Sequence, residues 1–232
     1  EIWDREITPH QQDTMAEEDG KRNPVRWAEV FMLYRKYYHT EPFTIRFIET
    51  PFFLPLTDDL AAAGIIDLVV EYLGRTMLID HKTTAYLNHK FFNSFALSHQ
   101  FSVYLLAANE LVNPDQPIDT LLVNCILSHK TEMNPDRLFA RVPTTRSAAQ
   151  LAETRQELVS WWSIVRECRG TGVWPKSGAT KRCDDYGGCE YRCLCTDVQA
   201  DYRRLKPSPA LFREEIWDPL ATLRRHGTDV AV

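Results

Sequence analysis

Residues Gly64–Thr84 read GIIDLVVEYLGRTMLIDHKTT, and this stretch decides the fold. Its two apolar, β-branched runs are separated by the turn sequence LGR, so the stretch predicts a β-hairpin. Asp67 lies inside the first run, and Asp80 and Lys82 close the second. Because strand residues two apart point to the same side, Asp80 and Lys82 share a face, and His81 projects its imidazole from the other.

The charges of this hairpin predict a divalent-cation site. A single charged residue at a strand end is ordinarily solvated, but these three lie within or directly after apolar runs, where unpaired charge is costly. Asp67 and Asp80 are candidate metal ligands, and the backbone carbonyl of His81 could supply a further oxygen. Lys82 could position water or stabilise charge on a phosphate, which makes phosphodiester hydrolysis the favoured chemistry.

Composition excludes several other classes. The 232 residues are 44% hydrophobic and 25% charged, as in a globular protein, and the net charge of -5 argues mildly against binding nucleic acid through bulk charge. The sequence contains no apolar run of about 18 residues and no signal peptide, so we expect a cytoplasmic protein without membrane contact. Neither a glycine-rich phosphate loop nor a GxSxG elbow occurs, which removes the commonest nucleotide-binding and serine-hydrolase interpretations.

The remaining patterns predict a mixed central β-sheet flanked by helices, in the α/β class. In chain order, the predicted elements besides the hairpin are helix Pro24–Tyr38, strand Phe43–Glu49, helix Leu87–Leu111, strand Thr120–Ser128, strand Leu138–Val142 and helix Ser147–Glu167. The first strand places Phe43, Ile45, Phe47 and Glu49 on one side, and Pro51 and Pro55 are expected to interrupt it.

Three further side chains are candidates for the same site. Glu49 ends an apolar strand face and could be aimed at Asp67, although an ordinary charged strand end is an equal alternative. Gln100 and Tyr104 are four residues apart in a helical pattern, so both project from one helix face. An amide and a phenol there could hold water or a phosphate oxygen, while a half-buried helix face is the alternative.

The segments GIIDLVV, LIDHKTT and HQFSVY together resemble the PD-(D/E)XK nuclease superfamily, in its RecB-like exonuclease branch with CRISPR-adaptation and bacteriophage members. Asp67 matches the first motif, Asp80 and Lys82 match D/E-x-K, and Gln100 and Tyr104 match Q-x-x-x-Y. The resemblance implies a restriction-endonuclease-like fold and Mg²⁺- or Mn²⁺-dependent DNA exonuclease activity. It also implies DNA with a single-stranded end as substrate and a recombination, repair or CRISPR-type protein partner.

Four of the six cysteines crowd into a short segment near the end of the chain, a pattern typical of metal binding in an intracellular protein. Cys183, Cys189 and Cys195 form C-x5-C-x5-C, which looks like the carboxy-terminal 4Fe–4S staple of such nucleases. In those relatives an early cysteine is the fourth ligand, but none precedes the nuclease motifs here. Cys193 and Cys168 are the local candidates for that position, and a structural Zn²⁺ is the alternative to the cluster.

These features predict four segments: an N-terminal helical segment over 1–42, a nuclease core over 43–170, a cysteine-cluster segment over 171–198 and a tail over 199–232. Because no initiating Met is present, we expect the first segment to be truncated. Two other functions stay open: a catalytically inactive DNA-binding or assembly subunit with the same fold, and a zinc-ribbon protein with an unrelated body. Preference for DNA over RNA, exonuclease polarity and oligomeric state also stay open.

Overall fold

A computed structural model describes residues 23–111, 116–176, 183, 184, 188, 189, 191–196 and 221. The chain divides into two compact units, Glu1–Ser160 with Leu220–Val232, and Trp161–Pro219. Apart from Ala221, the predicted tail lies outside the described residues, as do residues 1–22 of the predicted N-terminal segment. Within the described part of the chain, no helix is both long and apolar enough to cross a membrane.

The first unit is built on a five-stranded mixed sheet, which confirms the predicted architecture. Its strands lie in the order β1-β2-β3-β4-β5, with β3 and β4 parallel and all other neighbours antiparallel. The strands are β1 Thr44–Thr57, β2 Leu60–Tyr72, β3 Arg75–Thr84, β4 Thr120–Leu127 and β5 Phe139–Thr145. The helices are α1 Pro24–Tyr37, α2 His89–Asn93, α3 His99–Leu111, α4 Pro135–Leu138, α5 Ala148–Thr171 and α6 Arg192–Thr196.

The predicted hairpin is formed by β2 and β3. Tyr72 pairs with Arg75, which leaves a two-residue turn. The turn residues Leu73 and Gly74 have φ of 50° and 75°, so both occupy the left-handed region. This is the backbone of a type I′ turn, whose twist matches that of the flanking strands.

Strand β1 is longer than the sequence predicted, because it continues through Pro51 and Pro55 to Thr57. The strand is at the edge of the described sheet, where a residue without an N–H is tolerated on the outer side. The Arg155 guanidinium donates to the Pro55 carbonyl at 3.2 Å, so the main chain at this proline faces away from β2.

A β-bulge at Arg46 corrects the predicted alternation of β1. Ile45 pairs with Val70 while Phe47 pairs with Val69, so Arg46 is the extra residue. The shift places Ile45 and Phe47 on opposite faces of the sheet, whereas the sequence pattern put them on one. Phe47 projects from the same face of the sheet as Val69, because paired residues on neighbouring strands point to the same side.

The prediction of a single helix over Leu87–Leu111 is also wrong, because the segment forms three separate elements. Asn88 caps α2 by accepting a hydrogen bond from the Phe91 amide at 3.0 Å. A 3₁₀ turn, Ser94–Leu97, follows α2, and extended backbone at Ser98 separates it from α3. The break lets α3 start in a new direction over the sheet.

Helix α3 covers one face of the sheet and forms the main core there. Phe101 and Leu105 of α3 pack in one cluster with Leu78 of β3 and Leu121 of β4, all fully or nearly fully buried. A second, smaller cluster joins α1 to α4 and β5 through Val30, Leu138 and Phe139.

Candidate active site

Asp80 is a buried carboxylate at the centre of the sheet, on the face that α3 covers. The residue is 1% exposed. The Lys82 ammonium donates to Oδ1 at 3.1 Å and lies 2.8 Å from Oδ2, yet Oδ2 accepts no well-oriented hydrogen bond within the described structure. Burial raises the pKa of Asp80 and outweighs the opposing effect of Lys82. A carboxylate oxygen with unused acceptor capacity therefore lies in the protein interior.

Asp67 lies beside Asp80, where β2 and β3 separate. The pairing of the hairpin runs only to Leu68 and Ile79, and the same register continued by one residue places Asp67 opposite Asp80. Instead of a ladder bond, the His81 amide donates to Asp67 Oδ2 at 2.8 Å. Burial raises the pKa of Asp67, but the hydrogen bonds from His81 lower it more, so the net shift is downward.

The position of the His81 imidazole differs from the prediction. Strand parity places it on the face opposite Asp80 and was expected to direct it away from the site. Its Nδ1 instead lies 3.3 Å from Asp67 Oδ2. Because β2 and β3 have separated at this point, the Asp67 carboxylate can turn towards the main chain and ring of His81 rather than standing parallel to Asp80.

Gln100 and Tyr104 lie together on α3, as their spacing predicted. The Gln100 amide donates to the Tyr104 hydroxyl at 2.9 Å. The Tyr104 ring packs edge-on against Phe52, with 5.8 Å between ring centroids. Burial raises the pKa of Tyr104, and the negative charges of Asp80 and Asp67 raise it further, so its hydroxyl faces the same electrostatic environment as the two carboxylates.

Lys82 is held between the sheet and α3. Its ammonium lies 5.6 Å from the centroid of the Phe101 ring, a distance at which the ring face attracts a cation. The side chain is 31% exposed, compared with 2% for that of Asp80, so part of the Lys82 side chain reaches solvent while its partner does not. This arrangement gives a cation that can contact a ligand without leaving Asp80.

Glu49 lies at the rim of this site. The register on either side of it places Glu49 across from Asp67, but its side chain is exposed and its φ is 47°, in the left-handed region. Within the described residues, no three His, Cys, Asp or Glu side chains are grouped closely enough to hold a metal ion. Neither Glu49 nor the His81 ring therefore completes a three-ligand group with Asp67 and Asp80.

Sequence reasoning missed Arg146, which fixes the start of α3. The residue is 5% exposed, and its guanidinium donates to Ser102 Oγ at 3.0 Å, to the Phe95 carbonyl at 2.7 Å and to Thr144 Oγ1 at 2.9 Å. These bonds join the end of β5 to the 3₁₀ turn and to the first turn of α3, which contains Gln100. An arginine directly after a strand ordinarily indicates a solvated end, so no pattern in the sequence marks it.

The cysteine segment belongs to the second unit. The Cys189 amide donates to the Cys183 carbonyl at 2.9 Å, and the Cys195 amide donates to the Tyr191 carbonyl at 3.3 Å. Cys168 is buried within α5. The side chain of Cys193 lies outside the described residues. The described cysteines are free and form no metal-binding group.

The chain is similar to a known protein family. Residues 1–196 match the sequence model of the PD-(D/E)XK nuclease superfamily. The chain belongs to the PD-(D/E)XK nuclease superfamily. Among solved structures, the crystal structure of SSO0001 aligns with 59% of this chain at 13% identity and a TM-score of 0.31. The aligned part spans 57% of that protein, and no curated protein matches this chain.

Nucleases of the PD-(D/E)XK superfamily generally use Mg²⁺ or Mn²⁺. Oxygen ligands are the ones that these hard cations prefer. The oxygens of Asp67 and Asp80 provide such a donor set, and the unused acceptor capacity of the buried Asp80 Oδ2 suits a cation. The residues present therefore fit the metal that the superfamily implies.

Proposed function

We propose that this superfamily member is a Mg²⁺- or Mn²⁺-dependent DNA exonuclease. The observation that carries the proposal is Asp80, a fully buried carboxylate that is paired with Lys82 and lies across from Asp67, and whose Oδ2 accepts no well-oriented hydrogen bond in the described structure. A carboxylate buried this deeply is costly in a folded protein even when a lysine is paired with it. A cation-binding role accounts for keeping this costly buried pair in the sheet.

Each side chain has a defined part in this proposal. Asp67, Asp80 and the His81 carbonyl would hold the metal, which would polarise a phosphoryl oxygen and lower the pKa of a bound water. Lys82 keeps its ammonium beside Asp80 and is exposed enough to orient water or to stabilise negative charge on the phosphate.

Two further groups support the substrate. Gln100 and Tyr104 present a hydrogen-bonded amide and phenol from α3, and this pair can hold a water molecule or a phosphate oxygen. Glu49, at the rim opposite Asp67, is the remaining acidic candidate and would act on water rather than as a buried ligand.

The test is degradation of end-labelled single- and double-stranded DNA with Mn²⁺ or Mg²⁺, compared with circular single-stranded DNA. We expect linear DNA to be degraded from an end, and Asp80→Asn and Lys82→Met each to reduce kcat by at least about 100-fold. Asp119→Asn, which changes an exposed carboxylate paired with Arg75, is the matched control and should retain activity. Equal activity of wild type and Asp80→Asn would show that the site is misassigned.

Metal binding gives a readout that does not depend on turnover. Isothermal titration with Mn²⁺ should show binding to wild type and to Asp119→Asn, and a large loss of affinity in Asp80→Asn. Circular dichroism of each variant reports whether the fold is intact. Unchanged Mn²⁺ affinity in folded Asp80→Asn would remove Asp80 from the metal site.

A catalytically inactive DNA-binding or assembly subunit is the second candidate. The observation that favours it is the lack of a third acidic or histidine ligand beside Asp67 and Asp80 in the described structure. Binding of DNA without cleavage under Mg²⁺, Mn²⁺ and Co²⁺ would establish it. The proposed substrate in either case is DNA with a single-stranded end, handled with a recombination or CRISPR-type protein partner.

We also propose that Cys183, Cys189 and Cys195 bind a 4Fe–4S cluster, with Cys193 or Cys168 as the fourth ligand. The support is their C-x5-C-x5-C spacing together with the main-chain bond that brings Cys183 and Cys189 together. Anaerobic purification followed by iron, sulfide and zinc analysis tests the proposal. Stoichiometric iron and sulfide with broad visible absorption are expected, and zinc without iron would establish the alternative site.

A further inference from the structure

Phe47 lies on the same face of the sheet as the proposed catalytic carboxylates. It pairs with Val69, and Val69 pairs with Leu78, so these three side chains form one cross-strand row. The neighbouring row, two residues further along the strands, contains Asp67 and Asp80. At the rise of a β-strand, two residues separate the rows by about 7 Å.

The exposure of Phe47 is unlike that of the rest of its row. Val69 and Leu78 are completely buried beneath α3, while Phe47 at the edge strand is 53% exposed. A half-exposed phenyl ring keeps a substantial apolar area in water, and that area is available to a ligand. The ring thus lies on the edge strand, one row along the sheet from Asp67 and Asp80.

A neighbouring residue provides a comparison on the other side of the sheet. Ile48 is 64% exposed and pairs with Leu68, so it has similar exposure but projects from the face opposite Phe47. If both side chains were simply exposed apolar residues of an edge strand, replacing Phe47 and replacing Ile48 would have the same effect. A role in substrate binding would distinguish them, because only Phe47 shares the face of Asp67 and Asp80.

We propose that Phe47 stacks on a nucleobase adjacent to the phosphodiester bond that is hydrolysed, and that this contact selects substrates with an unpaired base. The inference rests on the proposed nuclease function and names its substrate class. In a duplex, the faces of a base are covered by its neighbours, so a protein ring can stack only on a base that is unstacked or at an end. Aromatic rings bind single-stranded nucleic acid in this way without reading sequence.

The experiment compares wild type, Phe47→Ala, Phe47→Trp and Ile48→Ala on a 5′- or 3′-labelled single strand. The same four proteins are assayed on strands that carry one abasic nucleotide at successive positions from the end. Loss of one base-stacking contact is expected to raise KM about 5- to 100-fold for Phe47→Ala, with a smaller change in kcat. Phe47→Trp, which keeps a ring, should restore KM, and Ile48→Ala should behave as wild type.

The abasic strands separate stacking from a structural role. If Phe47 stacks on one base, wild type loses affinity for the strand that lacks this base, and Phe47→Ala loses nothing more on that strand. Equal KM values for Phe47→Ala and Ile48→Ala on every strand, or additive losses at every abasic position, would overturn the inference while leaving the nuclease function intact. Failure of wild type to cleave any strand would instead overturn the proposed function and this inference with it.

Discussion

Replacing Gly64 by alanine tests the packing that connects the sheet to the Tyr104 side of the site. Gly64 of β2 pairs with Phe52 of β1, and the Phe52 ring lies over it. A Cβ added at Gly64 would lie 2.8 Å from both Cε1 and Cζ of Phe52, and 3.6 Å from Tyr104 Cε1. The ring cannot swing out of the way freely, because Phe52 is 2% exposed and meets the Tyr104 ring edge-on.

The magnitude follows from two opposing effects. Overpacking a buried site costs about 1–3 kcal/mol. A Gly→Ala change also stabilises a protein by about 0.4–1 kcal/mol, because it lowers the conformational entropy of the unfolded chain. We therefore expect Gly64→Ala to lower the free energy of unfolding by about 1–2 kcal/mol, and to lower nuclease activity because Tyr104 is displaced.

Urea denaturation followed by fluorescence and circular dichroism measures this difference, with the m-value as a check that the unfolded state is unchanged. Gly170→Ala is the matched control, since Gly170 lies in α5 and an added Cβ there meets nothing within 4 Å. That variant should be neutral or more stable by up to about 1 kcal/mol. In the Gly64→Ala background, Phe52→Leu should be less destabilising than it is alone, because it relieves the overlap.

The reasoning would be refuted if Gly64→Ala matched or exceeded wild type in stability, as Gly170→Ala is expected to do. Full additivity of Gly64→Ala and Phe52→Leu would equally show that the two side chains do not compete for the same space. Either outcome would show that the packing of Phe52 against Gly64 does not position Tyr104.

Three further predictions concern other parts of the fold. Burial raises the pKa of the Cys125 thiol to about 11, so the thiol is protonated at pH 8. Mass spectrometry of the native protein treated with iodoacetamide should therefore find Cys125 unmodified. Modification at the rate of a free thiol would contradict this prediction. Arg141→Met should lower the free energy of unfolding by about 1–3 kcal/mol in urea denaturation, because the guanidinium donates to both Glu41 carboxylate oxygens and to Asn124. An unchanged denaturation midpoint would show that these hydrogen bonds make no net contribution to stability. Gly74→Ala should cost about 1 kcal/mol, because φ at Gly74 is 75° and alanine disfavours that region; a neutral result would contradict the assigned turn.

The hairpin and the residues on it were predictable because their signals are local. Strand alternation and a two-residue turn are properties of neighbouring residues, and they placed Asp80 beside Lys82 correctly. The i and i+4 spacing of Gln100 and Tyr104 is equally local, and their hydrogen bond confirms it. These contacts follow from the geometry of a single element or of two adjacent ones.

Features that depend on irregular backbone were not predictable in this way. The bulge at Arg46 reverses the faces of Ile45 and Phe47, and no alternation pattern reveals an extra residue. The division of the predicted helix depends on the cap at Asn88 and the extended Ser98, which a continuous apolar pattern conceals. The contact between the His81 ring and Asp67 arises from the separation of two strands, a property of the whole sheet.

The prolines of β1 have a consequence for self-association. In an edge strand, free N–H groups invite pairing with a strand from another molecule, which is a common start of aggregation. Pro51 and Pro55 lack that group, and the Arg155 guanidinium occupies the outward carbonyl of Pro55. Within the described sheet, this half of the edge is therefore a poor template for an added strand, which disfavours assembly of this long and partly apolar strand into intermolecular sheets.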